Sequence, residues 1–170
     1  MIIDHLKYLG LFILAILLQV LIFDNIFLFG KANIFFYVLL ILLLPVEINK
    51  YFLLVIGFFL GFCIDIFNNT IGMHAAASVF ISFLRPYVLE ILSPRDGFET
   101  GDKPRIYIYG FAWFIKYSFS LLLLHHVFYY TVEVFRFDYF FDTLLRVILS
   151  SIASLFFIVL SQLIVIKRYL

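Results

Sequence analysis

Gly57-Phe-Phe-Leu-Gly61-Phe-Cys-Ile-Asp65-Ile-Phe-Asn68-Asn69-Thr70-Ile71-Gly72-Met73-His74 is the stretch on which the fold turns. Gly57, Gly61 and Asp65 recur every four residues, so they share one face of a helix. A Gly-x-x-x-Gly face lets a second backbone approach closely, which is how helices gain packing contact in lipid. Only Asn68-Asn69-Thr70 separates this run from the next, which begins with the small residues Ala75, Ala76, Ala77 and Ser78. The spacing predicts two antiparallel helices joined in a tight hairpin.

Around that hairpin the chain is overwhelmingly apolar. Apolar residues make up 65% of its 170 positions and charged residues only 14%; mean hydropathy is +1.14. Soluble domains are nearer half apolar and a quarter charged. No hydrophilic run is long enough for a second domain, so residues 1–170 read as a single integral membrane domain. A net charge of +1 is uninformative by itself, but no basic tract is present to neutralise phosphates, and no nucleic-acid partner is expected. The single cysteine, Cys63, excludes an intramolecular disulfide and a thiolate metal cluster. The first apolar run follows Lys7 without a small-x-small cleavage site and is expected to be a retained span.

A helix crossing the hydrocarbon needs about 20 mostly apolar residues. Six spans are predicted, over residues 8–23, 33–46, 51–67, 71–92, 106–131 and 143–166. The fold class expected is all-α, a six-helix transmembrane bundle with both termini cytoplasmic. The second span is short, and charge argues for it. With six spans, Lys7, Lys50, Arg95, Lys103, Arg105, Lys167 and Arg168 fall inside, and only Lys31 and Arg136 outside, as the positive-inside rule requires. Tyr8, Tyr51, Tyr107, Tyr109 and Tyr169 fit an inner aromatic belt, and Tyr129 and Tyr130 an outer one. The outer segment 133–142 is half aromatic, suited to the interface plane or to a partner.

Intramembrane charge is a functional hypothesis because burying it is costly. Arg85 stands near the inner end of span four and is expected to snorkel to the headgroups. Lys116 begins about ten residues into span five, roughly 15 Å deep, and either faces the bundle interior or bends towards the inner surface. Asp65 and Arg146 share an outer depth. They form a cross-helix pair, or else Arg146 pairs with Asp142 four residues earlier and Asp65 reaches headgroup water. Arg146, Ser150, Ser154 and Ser161 form a narrow helix-packing stripe. Gln19 and Gln162 are expected to hydrogen-bond between helices. His74 and His125–His126 lie at the outer depth too, where haem ligation is the minor reading. No P-loop, dinucleotide fingerprint, metalloprotease motif or acid/base constellation occurs, nor do the paired broken spans of many transporters. No catalytic residue, cofactor or metal is predicted, and the chain is read as a non-enzyme.

From Gly57 to His74 the sequence resembles the rod-shape-determining protein MreD family, with its Gly-x3-Gly-x3-Asp helix, tight turn and Gly-x-His. Pro45, Tyr51-Phe52 and Gln19 also fit that pattern. The resemblance implies a non-catalytic, multi-pass adaptor of the bacterial cytoplasmic (inner) membrane, required for rod shape and lateral peptidoglycan synthesis. It implies binding to the bitopic protein MreC and, indirectly, to MreB, RodA and a class B penicillin-binding protein, within surrounding lipid and with homo-oligomers open. By the motif match, Gly57, Gly61, Asp65, Gly72 and His74 are the partner-binding or helix-packing residues, with Lys116 and Arg146 as intramembrane polar groups.

A second resemblance leads elsewhere. Small six-helix chains of this kind are similar to the substrate-capturing subunits of energy-coupling-factor vitamin transporters. There Asp65, Arg146, His74 and His125 would line an outward-facing small-molecule pocket.

Overall fold

The computed structural model describes residues 2–26, 32–70, 72–134 and 140–166, with side chains from Leu9 to Ile164. Its elements are α1 (Ile2–Leu21), α2 (Val38–Leu43), α3 (Lys50–Asn68), α4 (Met73–Ile91), α5 (Ile106–Tyr109), α6 (Phe111–Val134) and α7 (Phe140–Ile166), with a 3₁₀ turn at Phe23–Asn25. Among the described residues there is no strand. Among the described residues three helices, α3, α6 and Phe140–Ile164 of α7, are long and apolar enough to cross a membrane. α4 matches α3 at 19 residues, but its buried face carries His74, Ser78, Ser82 and Arg85.

The surface explains why lipid is the solvent. Leu17, Phe59, Ile66, Phe156 and Leu160 project outward from α1, α3 and α7, while Gln19, Asp65, Arg85, His125, His126, Ser150 and Ser154 are buried. Water does not tolerate so extensive an apolar exterior. The chain is an all-helical membrane protein.

Asn49 starts α3 by accepting the backbone N–H of Tyr51 at 2.9 Å through its side chain, a standard use of Asn at a helix start. Asn69, with φ of 54°, ends α3. Three residues later Gly72, with φ of 75°, starts α4. These two left-handed residues reverse the chain, and α3 packs along α4 more extensively than any other pair; α6 lies against α4 and α7, and α1 leans on α3.

Two predicted spans differ. Residues 33–35 are not helical, and the short helix α2 supplies only Val38–Leu43 of the span expected over 33–46. Pro45 disfavours helix at Leu44, and Leu44 is extended. The span expected over 106–131 is interrupted at Gly110, whose φ of 83° separates α5 from α6. The orientation residues Lys31, Arg136, Lys167 and Arg168 lie outside the described residues, as do Ile71, Tyr169 and positions 135–139 of the aromatic outer segment; Lys7 and Tyr8 are described in backbone only.

Candidate functional site

The hairpin is clamped by Asp65. Gly72 has no side chain to cap α4, leaving orphan N–H groups at its first turn. The Asp65 carboxylate, reaching from the last turn of α3, accepts His74 N–H at 3.0 Å and Ala75 N–H at 2.9 Å, and the Thr70 hydroxyl at 2.6 Å. A negative charge at a helix N-terminus is also favoured by the helix dipole. The preceding glycines make this reach possible. A Cβ on Gly61 would overlap the His74 carbonyl and the Ala75 backbone, and one on Gly57 would overlap the Ser82 hydroxyl. Gly57, Gly61 and Asp65 therefore face α4, with His74 buried behind them. Asp65 is occupied by α4, while Arg146 pairs with Glu133 at 2.9 Å and lies over the Tyr130 ring. Of the two readings open for these residues, the Asp65–Arg146 pair does not form.

Beside the hairpin, the non-helical segment Ala32–Phe35 runs through the core, and every residue from Ala32 to Phe35 except Asn33 is fully buried. Backbone at this depth is tolerated only where the protein satisfies it. Asn33 N–H donates to Ser150 Oγ at 3.0 Å and Phe35 N–H to Ser154 Oγ at 2.9 Å. Two residues of extended chain advance about 6.6 Å and four of helix about 6 Å, so the two serines of α7 match the alternate amides. Gln19 completes the set, donating to the Ile34 carbonyl at 2.8 Å and accepting Tyr37 N–H at 3.1 Å. The serine stripe and Gln19 thus serve one broken segment as well as helix packing.

At the end of that segment, the Tyr37 hydroxyl bridges His74 Nδ1 at 3.1 Å and His125 Nε2 at 2.8 Å. His126 bonds through Nδ1 to the Leu122 carbonyl at 2.6 Å, which puts its proton there and turns Nε2 towards Ser154 Oγ at 3.4 Å. The Phe35 ring fills the space between these groups, with His74, His125, His126, Tyr129 and Tyr130 all packed around it. Tyr129 and Tyr130 are buried core residues and not an outer belt. Among the described residues no group of three or more His, Cys, Asp or Glu could hold a metal ion.

Arg85 and Lys116 also stand differently from expectation. Arg85 does not snorkel: it is fully buried, donating from Nε to the Tyr117 hydroxyl at 2.8 Å and from its terminal nitrogens to the Leu44 and Pro45 carbonyls. Those carbonyls follow α2, whose unsatisfied end the guanidinium caps. Pro45, which forces the chain out of helix there, is the sequence signal for that demand. Lys116 is exposed, and because α6 begins at Phe111 it stands only five residues along the helix, about 8 Å in.

An open apolar groove of about 1160 Å³ runs along the hairpin. Phe58, Phe62, Phe80, Phe83 and Phe128 line it beside the small Gly72, Ala75 and Ala76, and Asp65, Asn69 and Thr70 stand at one end. Comparison with models of known families, with curated proteins and with solved structures finds no match.

Proposed function

We propose that this chain is a non-catalytic membrane adaptor of the MreD type, crossing the bacterial inner membrane six times with both ends cytoplasmic. In that role it binds MreC and through it couples MreB filaments to RodA and its class B penicillin-binding protein for rod shape and lateral peptidoglycan synthesis. The observation that carries the reading is the α3–α4 hairpin with its groove. Gly57, Gly61 and Asp65 are consumed in locking the two helices together, so the hairpin offers its outer face as one rigid unit. Small residues flanked by phenylalanines on that face suit a single transmembrane helix, which packs in lipid by close contact, and MreC, the partner that the resemblance implies, is bitopic.

The broken second segment supports six crossings. A helix of residues 33–46 would span about 21 Å, short of the roughly 30 Å hydrocarbon. Chain outside a helix rises more per residue than helix does, so with residues 33–35 non-helical the same stretch gains length without needing more apolar residues. The vitamin-capture reading loses ground, because the Phe35 ring occupies the space between His74 and His125.

The test is purification of the tagged protein from native membranes in mild detergent, with its companions identified by mass spectrometry. MreC is expected with the wild type and is expected to be lost with Ala76→Trp, which fills the groove from an exposed position, while the elution volume stays constant. Recovery of ATPase subunits instead, or MreC retained by the filled groove, would retire the proposal.

A further inference from the structure

Arg85 presents an unbalanced charge. A guanidinium has five N–H donors, and the fully buried Arg85 directs them to the Tyr117 hydroxyl and to the carbonyls of Leu44 and Pro45. Each terminal nitrogen keeps a second N–H, and all three partners are neutral oxygens. α2 has only six residues, too few for its dipole to offset a full charge. Burying a cation without an anion is strongly unfavourable.

The side chain lines a cavity of about 440 Å³ between the start of α3 and the last turns of α4. Lys50 lines the same cavity and brings a second cation, and among the described residues no carboxylate lines it. Ser82 also lines it, almost completely buried, and its hydroxyl, lying beside Gly57 of α3, has no hydrogen-bond partner among the described residues. Buried hydroxyls in native proteins are nearly always bonded. The exposed Tyr51 and Tyr87 stand at the mouth, and Leu54 and Phe83 continue the wall as apolar surface. An exposed cation on the wall, with a second cation and an unbonded hydroxyl buried directly against the cavity and apolar surface continuing beyond them, is the chemistry of an anionic headgroup with its first methylenes; basic pockets between membrane helices take such headgroups.

We infer that the cavity framed by Lys50, Ser82 and Arg85 binds the phosphate headgroup of an anionic lipid. A soluble phosphate would answer the charge and leave the apolar wall uncovered. The site lies away from the outer-end residues of the hairpin and does not depend on the adaptor reading.

The test uses the full chain in neutral detergent, with phosphatidylglycerol or phosphatidylcholine added, read by native mass spectrometry and by thermal midpoint. Phosphatidylglycerol is expected to be retained and to raise the midpoint, and phosphatidylcholine to do neither. Lys50→Gln, at an exposed position, is expected to weaken phosphatidylglycerol retention about fivefold, the effect of one basic residue near a headgroup. Arg85→Gln is expected to abolish the preference; if that variant does not fold, Lys50→Gln and Ser82→Ala carry the test, with Lys116→Gln as an exposed cation elsewhere that changes nothing. Equal retention of the two lipids, or no effect of Lys50→Gln, overturns the site. Equal stabilisation by millimolar inorganic phosphate overturns the lipid and assigns a soluble phosphate in its place.

Discussion

Asp65 Oδ2 accepts the backbone N–H of Ala75 at 2.9 Å, across a turn in which the helix-starting residue is a glycine. One carboxylate therefore caps the start of α4 and ties it to the last turn of α3. In lipid, where apolar side chains gain little by leaving their solvent, such polar contacts and close backbone packing carry the helix association.

Asp65→Ala should destabilise the protein by about 2–3 kcal/mol, the range for losing charge-assisted hydrogen bonds at a helix cap. Asp65→Asn should fall between, since its oxygen still accepts one N–H while its amide faces another donor. Thermal unfolding in detergent checks this. Equal midpoints for wild type and Asp65→Ala would show that the cap contributes nothing.

The three glycines Gly61, Gly57 and Gly10 should rank in that order when changed to alanine. At Gly61 the added carbon meets the backbone of α4, which cannot rotate away, so a cost of about 2–3 kcal/mol is expected from overpacking. At Gly57 it meets mainly the Ser82 side chain, which can turn, and the cost should be smaller. Gly10 has nothing within 4 Å among the described residues, and alanine there should be neutral or slightly stabilising by helix propensity. A Gly10 variant as damaging as the Gly61 variant contradicts the packing account.

The hairpin was legible because its determinants are local: glycines four apart, a three-residue turn and a carboxylate within one turn of it. The membrane class was legible from composition. The broken second segment was not, because what makes it tolerable lies far off in sequence. Ser150 and Ser154 stand more than a hundred positions from the amides they satisfy, and in sequence they look like any small-residue face. Arg85 misled for the same reason. Its depth along a helix suggests snorkelling, but its destination was set by the carbonyls after α2, which only the fold brings near. For Lys116 a local signal did exist: Gly110 restarts the helix and makes that lysine shallow.

Ser154→Ala should leave the Phe35 N–H without its acceptor in the core, at a cost of about 1–3 kcal/mol. Ser161 offers the control, because its hydroxyl only bonds back to the Ile158 carbonyl at 2.7 Å; its alanine variant should stay within about 0.5 kcal/mol of wild type. Unfolding by titration with a denaturing detergent separates the two. Ser154→Ala and Ser161→Ala behaving alike would mean that the segment finds another acceptor.

Asp24 supplies a pH dependence with a definite sign. It lies just beyond α1, half-buried, accepting from Gln19 Nε2 at 2.6 Å and Asn68 Nδ2 at 3.0 Å. Burial raises its pKa above the ordinary carboxylate value, and the two amide hydrogen bonds oppose that shift without cancelling it. A raised folded-state pKa means that the fold favours the protonated form. Its contribution is complete below the unfolded value of about 3.9 and is lost as pH rises through the folded value. Asp24→Asn carries no such titration, so any constant cost of the substitution drops out of the comparison. The midpoint of wild type minus that of Asp24→Asn should therefore fall as pH rises from about 4 towards 7. A difference that grows over that range would mean that the amide bonds outweigh desolvation and hold the carboxylate charged.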